Sequence, residues 1–347
     1  MKIEKLEVHV VAVPYVRVVK KYRPKEPFER PDPIVRVWND DGLCGIGESG
    51  RGGSVEEIRR QFKIIKGKNP LDLYPNDYES GLMQAIYDLQ GKALGWPAYR
   101  LMGRKVRDKV PMAFWTVELA TPEETAAEAL YAVERGFKVF KWHTHPTRPE
   151  TTVERVKAIY NAVGDDLAIR IDRGYPWTFA FTVKIARQIE RYNIECFEDP
   201  LPHKSVGLYR MLRSKIDIPL AWHIHSAEEA LVAVKNEAVD YLNVSAKPDV
   251  VSDISAITTP ERVSLWLQIS GIGCTGLKDA FAAHIGAVTE NATLPGDNLH
   301  FLKENDLLKP HLKVKDGFMD VPEKPGLGVE LDMEAVKDYR IDYIIET

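Results

Sequence analysis

Residues Leu167–Pro202 read LAIRIDRGYPWTFAFTVKIARQIERYNIECFEDPLP. Leu167, Ile169 and Ile171 form a short apolar run that ends at Asp172. Val183, Ile185, Ala186 and Ile189 then recur at helical spacing, and a second run, Ile194 to Phe197, ends at Glu198 before Asp199-Pro200. The unit is strand, loop, helix, strand, with a carboxylate at the C-terminal end of each strand. In a (β/α) barrel that end carries the active site.

Working outward, the same alternation recurs from Val110 to the region of residue 300. Candidate strands are 110–117, 137–145, 167–174, 194–201, 219–225, 241–246, 263–270 and 293–299, with helical patterns between them such as 122–135 and 152–163. Residues 1–50 read instead as an antiparallel meander, with a hairpin signal at Asn39-Asp40-Asp41-Gly42. Within it, Val16–Asp32 shows no periodicity and is expected to be a long loop that could act as a lid. Residues 54–104 read as helices. Ser54 and Glu57 are spaced as a capping box, and 78–94 carries one apolar face that Gly95 ends. The expected organisation is a first domain of residues 1–109, completed by the tail 312–347, and a barrel of residues 110–311.

Bulk composition narrows the function classes. The 347 residues exceed a typical single core, which suits two domains. With 44% hydrophobic and 28% charged residues the chain is of ordinary globular type. A net charge of −4 argues against a nucleic-acid or anionic-membrane partner, and no apolar run would span a bilayer. The N-terminal MKIEKLEVHVVAVP is an amphipathic strand pattern rather than a signal peptide. Cys44, Cys196 and Cys274 are three and far apart, which implies neither a disulfide framework nor a cysteine zinc site and suits a cytoplasmic setting.

Side chains two apart on a strand share a face. That groups Lys141, His143 and His145 on the second barrel strand, and His223 with His225 on the fifth. Asp172, Glu198 and His223 follow one another at 26 and 25 residues (198 − 172 and 223 − 198), one βα unit each time. Two carboxylates and an imidazole at one barrel mouth are expected to hold a divalent ion. The oxygens suit Mg²⁺ or Mn²⁺, and an imidazole moves the preference towards Mn²⁺, Fe²⁺ or Zn²⁺. Each residue alone reads as a cap or an ion-pair member; three at matching spacing read as a site. A lysine at position 141 would be costly inside the mouth unless paired with the acids.

Several segments together resemble the enolase superfamily, in its mandelate racemase/muconate lactonizing branch. They are Asp41-Gly42-Leu43-Cys44-Gly45-Ile46-Gly47-Glu48, Ile86-Tyr87-Asp88-Leu89-Gln90-Gly91-Lys92, Asp172 with Trp177, Phe197-Glu198-Asp199-Pro200, and Pro325-Gly326-Leu327-Gly328-Val329. The resemblance implies an α/β fold, an α+β capping domain over a modified (β/α)₇β TIM-type barrel. It also implies abstraction of a proton alpha to a carboxylate, Mg²⁺ held by acids on the third to fifth strands, a small carboxylate substrate, and a homo-oligomer. Asp172 and Glu198 match the first two ligands. Gly174 stands where the family usually has Asn. The segment Pro219-Leu220-Ala221-Trp222-His223-Ile224-His225 lacks the third acid, whose place falls on Ile224 without a gap, and His223 is taken as the substitute. Lys141-Trp142-His143 matches the family's Lys-x-Lys, which makes Lys141 a substrate-carboxylate contact and His143 the base. Lys141 is expected to lower the pKa of His143. Ser245 and Trp266 occupy the usual positions of the opposite-face base and its partner.

The resulting expectation is a metal-dependent lyase or isomerase, foremost a sugar-acid dehydratase with Lys141 and His143 as catalytic residues and Asp172, Glu198 and His223 on the metal. The alternative is a degenerate barrel that binds a ligand or assembles without this chemistry. A third reading takes His143-Thr144-His145 as the His-x-His of barrel metallohydrolases, against which the capping-domain segments count.

Overall fold

A computed structural model describes the whole chain except residues 175–176, 269–273 and 298–299. Parts of the candidate strands 263–270 and 293–299 therefore lie outside the described residues.

The meander forms as read. Strands β1 (Ile3–Val11), β2 (Asp32–Asn39) and β3 (Cys44–Glu48) pair antiparallel. The turn between β2 and β3 is held by Asn39, whose side-chain oxygen accepts from the N–H groups of Asp41 and Leu43. Helices Val55–Ile65 and Ser80–Leu94 cover one face, burying Ile58, Phe62, Leu82, Ile86 and Leu89 against Leu6, Val8, Val35 and Val37. Ser54 caps the first of them by accepting from the Glu57 N–H at 3.1 Å.

Residues 16–32 are not a plain loop. They contain two short helices, Arg17–Tyr22 and Glu26–Glu29. Neither is long enough to display a hydrophobic period, and helices of this length depend on tertiary contacts. Here those contacts are Val19 packed among Tyr15, Trp115 and Val117, and ion pairs from Arg17 to Glu128 at 3.3 Å and from Arg23 to Glu118 at 2.5 Å.

Eight strands follow: β4 (Lys109–Thr116), β5 (Val139–His143), β6 (Ala168–Asp172), β7 (Ile194–Glu198), β8 (Leu220–Ile224), β9 (Tyr241–Ser245), β10 (Ser264–Gln268) and β11 (Gly296–Asp297). All pair parallel, and β11 returns to β4, which closes the barrel. Among the described residues a helix stands between each consecutive pair, seven in all, from Pro122–Glu134 to Gly276–Val288. This is a (β/α)₇β barrel. The hairpin of β12 (Val314–Lys315) and β13 (Phe318–Asp320) pairs with β4, so this stretch of the tail joins the barrel sheet. β14 (Arg340–Glu346) crosses back to pair with β1.

Strand alternation sorts the barrel residues by face. Phe140, Trp142, Ile169, Ile171, Phe197, Leu220, Trp222, Ile224, Val244 and Leu267 pack outward under the helices. Lys141, His143, Arg170, Asp172, Glu198, His223 and Trp266 take the opposite parity and fill the inside. The outward layer carries much of the stability. Trp222 is 1% exposed and meets Tyr209 edge-on at 5.0 Å. Trp222→Ala is expected to lower unfolding free energy by about 3–5 kcal/mol in urea titration.

One buried acid joins the capping domain to the tail. Asp88, fully buried on helix Ser80–Leu94, accepts from Ile46 N at 2.8 Å, Lys92 Nζ at 2.6 Å and Leu327 N at 2.7 Å. Three of the segments that carry the family resemblance thus meet at one carboxylate. Gly326 beside it has φ +73°, and a Cβ there would fall 2.0 Å from Asp88 Oδ1. Gly326→Ala combines a strained backbone with that clash. An expected loss of about 2–4 kcal/mol, read by denaturant unfolding, follows.

Candidate active site

The inside face of the barrel mouth is built from register partners. His143 on β5 lies opposite Asp172 on β6, and Asp172 lies opposite Glu198 on β7. Each is the last residue of its strand. One level deeper, Lys141 on β5 pairs with Arg170 on β6.

Lys141 is the hub. Its side chain is 2% exposed, and its ammonium lies 2.8 Å from Glu198 Oε2, 2.8 Å from Asp297 Oδ2 and 3.4 Å from Asp172 Oδ2. Burial opposes its charge, but Asp297, Glu198 and Asp172 together outweigh burial and hold the ammonium protonated well above the usual lysine range. His143 Nε2 lies 3.1 Å from Asp172 Oδ2, with a third of its side chain open to solvent. Gly174 N–H donates to Asp172 Oδ1 at 3.0 Å. Asp172 is consequently held far below the ordinary carboxylate range, since His143 and Lys141 overcome its burial. Glu198 goes the other way: burial and the neighbouring Asp172 push it up to about 8. Its Oε1 accepts from Asn243 Nδ2 at 2.6 Å, and Asn243 in turn donates to Gln268.

The pKa of His143 departs from the sequence expectation. Burial lowers it, yet the charge and hydrogen bond of Asp172 exceed burial, and the net shift is upward. Lys141 does act in the expected direction, but it is a weaker influence than the carboxylate directly against the ring.

His223 sits inside the barrel on β8, while Ile224 packs outward in the core, which settles the parity that the sequence left open between them. Its Nε2 is 3.4 Å from Ser245 Oγ, and its ring lies 4.5 Å from that of His225. Burial and His225 push it down to about 4, so it is neutral. The structure brings Asp172 and Glu198 together, but His223 is engaged with Ser245. Among the described residues no three His, Cys, Asp or Glu side chains are grouped so as to hold a metal ion. His145 accepts from the Thr147 and Arg148 N–H groups instead of facing the site.

The two carboxylates nevertheless fit a hard divalent cation. Mg²⁺ is commonly held by one or two carboxylates and keeps several waters. Burial and the adjacent Asp172 disfavour the charged form of Glu198, a cost that a cation against both carboxylates would relieve.

Four participants were not singled out from the sequence: Asp297, Asn243, Gln268 and Arg170. Asp297 lies on β11, inside the candidate strand 293–299, whose acid was not picked out. Asn243 lies two residues before Ser245, and strand alternation could have placed it on the same inward face. Arg170 is fully buried, spans Glu195 at 2.6 Å and Asp297 at 3.5 Å, and lies 3.9 Å over the Trp266 ring. Trp266 lies on β10, inside the barrel beneath the Arg170 guanidinium.

Residues 124–336 match the family model described as enolase C-terminal domain-like. The N-succinyl-L-Arg/Lys racemase of Bacillus cereus is 25% identical, over 90% of this chain and 91% of its own. The D-xylonate dehydratase of Haloferax volcanii is 26% identical, over 89% and 85%. A crystal structure of a mandelate racemase/muconate lactonizing family protein from Azoarcus sp. EbN1 superposes with a TM-score of 0.81 at 22% identity, covering all of both chains. Members of the superfamily use Mg²⁺ in general.

Proposed function

From a chain that belongs to the enolase superfamily, in its mandelate racemase/muconate lactonizing branch, we infer an enzyme that removes a proton alpha to a carboxylate, and we propose that it dehydrates a sugar acid. The observation that carries this reading is the His143–Asp172 contact at a strand-end carboxylate pair. Nε2 of His143 donates to Asp172, which leaves Nδ1 as the acceptor for the substrate proton. Gly174, in place of the family's Asn, leaves space there: a Cβ would come 3.2 Å from His143 Cβ and 3.5 Å from Nδ1. An imidazole in place of a lysine at position 143 and a glycine at 174 are thus sterically complementary.

Asp172 and Glu198 would hold Mg²⁺ or Mn²⁺, with His223 as third donor once its ring turns from Ser245. The cation supplies electrostatic stabilisation of the charge that develops on the substrate carboxylate. Lys141 helps to hold Asp172 ionised, opposes the upward shift of Glu198, and contributes a second positive charge. Zn²⁺ is the less suitable ion for a pair of carboxylates. The substrate is a small carboxylate. Among the described residues no helix is long and apolar enough to cross a membrane, and we place the protein in the cytoplasm as a homo-oligomer on the family resemblance.

Incubation with a panel of aldonic acids in D₂O tests the reading. The expected outcome is formation of a 2-keto-3-deoxy acid from one configuration at the alpha carbon, with no interconversion of epimers. If no aldonate exchanges or loses water while the cation is bound, sugar-acid dehydration is wrong.

One observation favours a second reading. His300, three residues beyond Asp297, holds Nδ1 2.6 Å from Asp279, a fully buried carboxylate. An imidazole fixed by a carboxylate is the kind of pair that a racemase or epimerase uses as its second base. Exchange in both epimers, reduced for only one of them in His300→Asn, is the result that reading needs.

A further inference from the structure

The cation site of the proposed function is already occupied by a cation of the chain itself. All six oxygens of Asp172, Glu198 and Asp297 face a protein donor or positive charge. Asp172 Oδ1 receives Gly174 N, and Oδ2 receives His143 and Lys141. Glu198 Oε1 receives Asn243, and Oε2 faces Lys141. Asp297 Oδ2 faces Lys141, and Oδ1 faces Arg170. A divalent ion bound directly to Asp172 and Glu198 would need oxygens at about 2.0–2.6 Å. Lys141 Nζ bridges Asp172 Oδ2 and Glu198 Oε2, at 3.4 and 2.8 Å. An ammonium and a divalent ion cannot share that point.

We propose that Lys141 is a tethered competitor for the divalent cation, displaced from Asp172 and Glu198 when the ion binds and retained by Asp297. Three features support it. The ammonium contacts three acids from three strands, so it can leave two and keep the third. Asp297 sits on β11, on the far side of β4 from Lys141, so the lysine withdraws without crossing the barrel axis. Its flexible four-carbon stem makes the exchange a side-chain movement. Occupancy by the ion and release of Lys141 from the acid pair are then one event, and the ion-free protein holds its acids together with its own charge.

The inference rests on Asp172 and Glu198 as cation ligands, but its test reads binding alone and is independent of the substrate. Mn²⁺ would be titrated into the full-length protein and into Lys141→Met, with free Mn²⁺ measured by electron paramagnetic resonance. Removing a positive charge in contact with the ligands is expected to tighten Mn²⁺ binding by about tenfold or more. Binding seen only in Lys141→Met is the extreme form of the same result. Equal or weaker binding in the variant, or none in either protein, overturns the proposal. Should the variant fail to fold, a crystal structure of the unmodified protein with Mn²⁺ decides. Nζ in contact with Asp297 alone supports the exchange. Nζ still within hydrogen-bond distance of Glu198, with Mn²⁺ on both acids, refutes it.

Discussion

His143→Asn is expected to reduce alpha-proton exchange by about 10²- to 10⁴-fold, the usual contribution of a general base, with the fold intact. The side chain is one-third open to solvent and meets Trp115 edge-on at 5.9 Å, so its shortening is filled by solvent. Asparagine can still donate to Asp172 but cannot accept a proton. Stopped exchange measured by NMR in D₂O, alongside unchanged circular dichroism, is the expected pair of results. Exchange that persists at the parent rate would remove His143 from the role. The pH dependence carries the same assignment. Asp172 raises the pKa of His143, so in the ion-free protein the ring, followed by NMR, should titrate through a midpoint above the free-imidazole value of about 6.5. A midpoint below that value would mean that Lys141 outweighs the carboxylate, contrary to the contact seen.

Asp172→Asn should have a still broader effect. It removes one cation ligand, the carboxylate that orients His143, and one of the three charges around Lys141. Loss of Mn²⁺ binding and a fall in exchange of about 10³-fold or more are expected, because electrostatic stabilisation of the developing charge and alignment of the base are lost together. Stability should change far less. Relieving the repulsion on Glu198 offsets the lost ion pairs, and the carboxyl of Glu198 should titrate lower in the variant, since Asp172 is a main cause of its elevation. Isothermal calorimetry with Mn²⁺ and urea unfolding separate the two consequences. Mn²⁺ affinity equal to the parent's would remove Asp172 from the ligand set.

Much of the architecture was readable from Leu167–Pro202 alone. Strand alternation, the helical period of Val183 to Ile189 and strand-end Asp172 and Glu198 are local patterns, set by side-chain direction within a few residues. The same local rule put Lys141 and His143 on one face. The family segments around Gly45, Asp88 and Gly326 could be named but not connected, because only the folded chain brings Ile46, Asp88 and Leu327 within hydrogen-bond distance. The helices within residues 16–32 were invisible for a related reason: their contacts are with Trp115, Glu118 and Glu128, far along the chain.

What the amino-acid sequence determined by itself is the barrel, its cap and the two carboxylates at neighbouring strand ends, since each follows from periodicity and order along the chain. Tertiary structure alone decided the electrostatics of the site. Closure of β11 onto β4 delivered Asp297 to Lys141, the packing of β8 beside β9 turned His223 to Ser245, and a 3.1 Å contact reversed the expected direction of the His143 shift. These depend on distances of a few ångströms between residues from different strands. Coulomb and hydrogen-bond energies change steeply over such distances, and spacing along a chain carries no information about them.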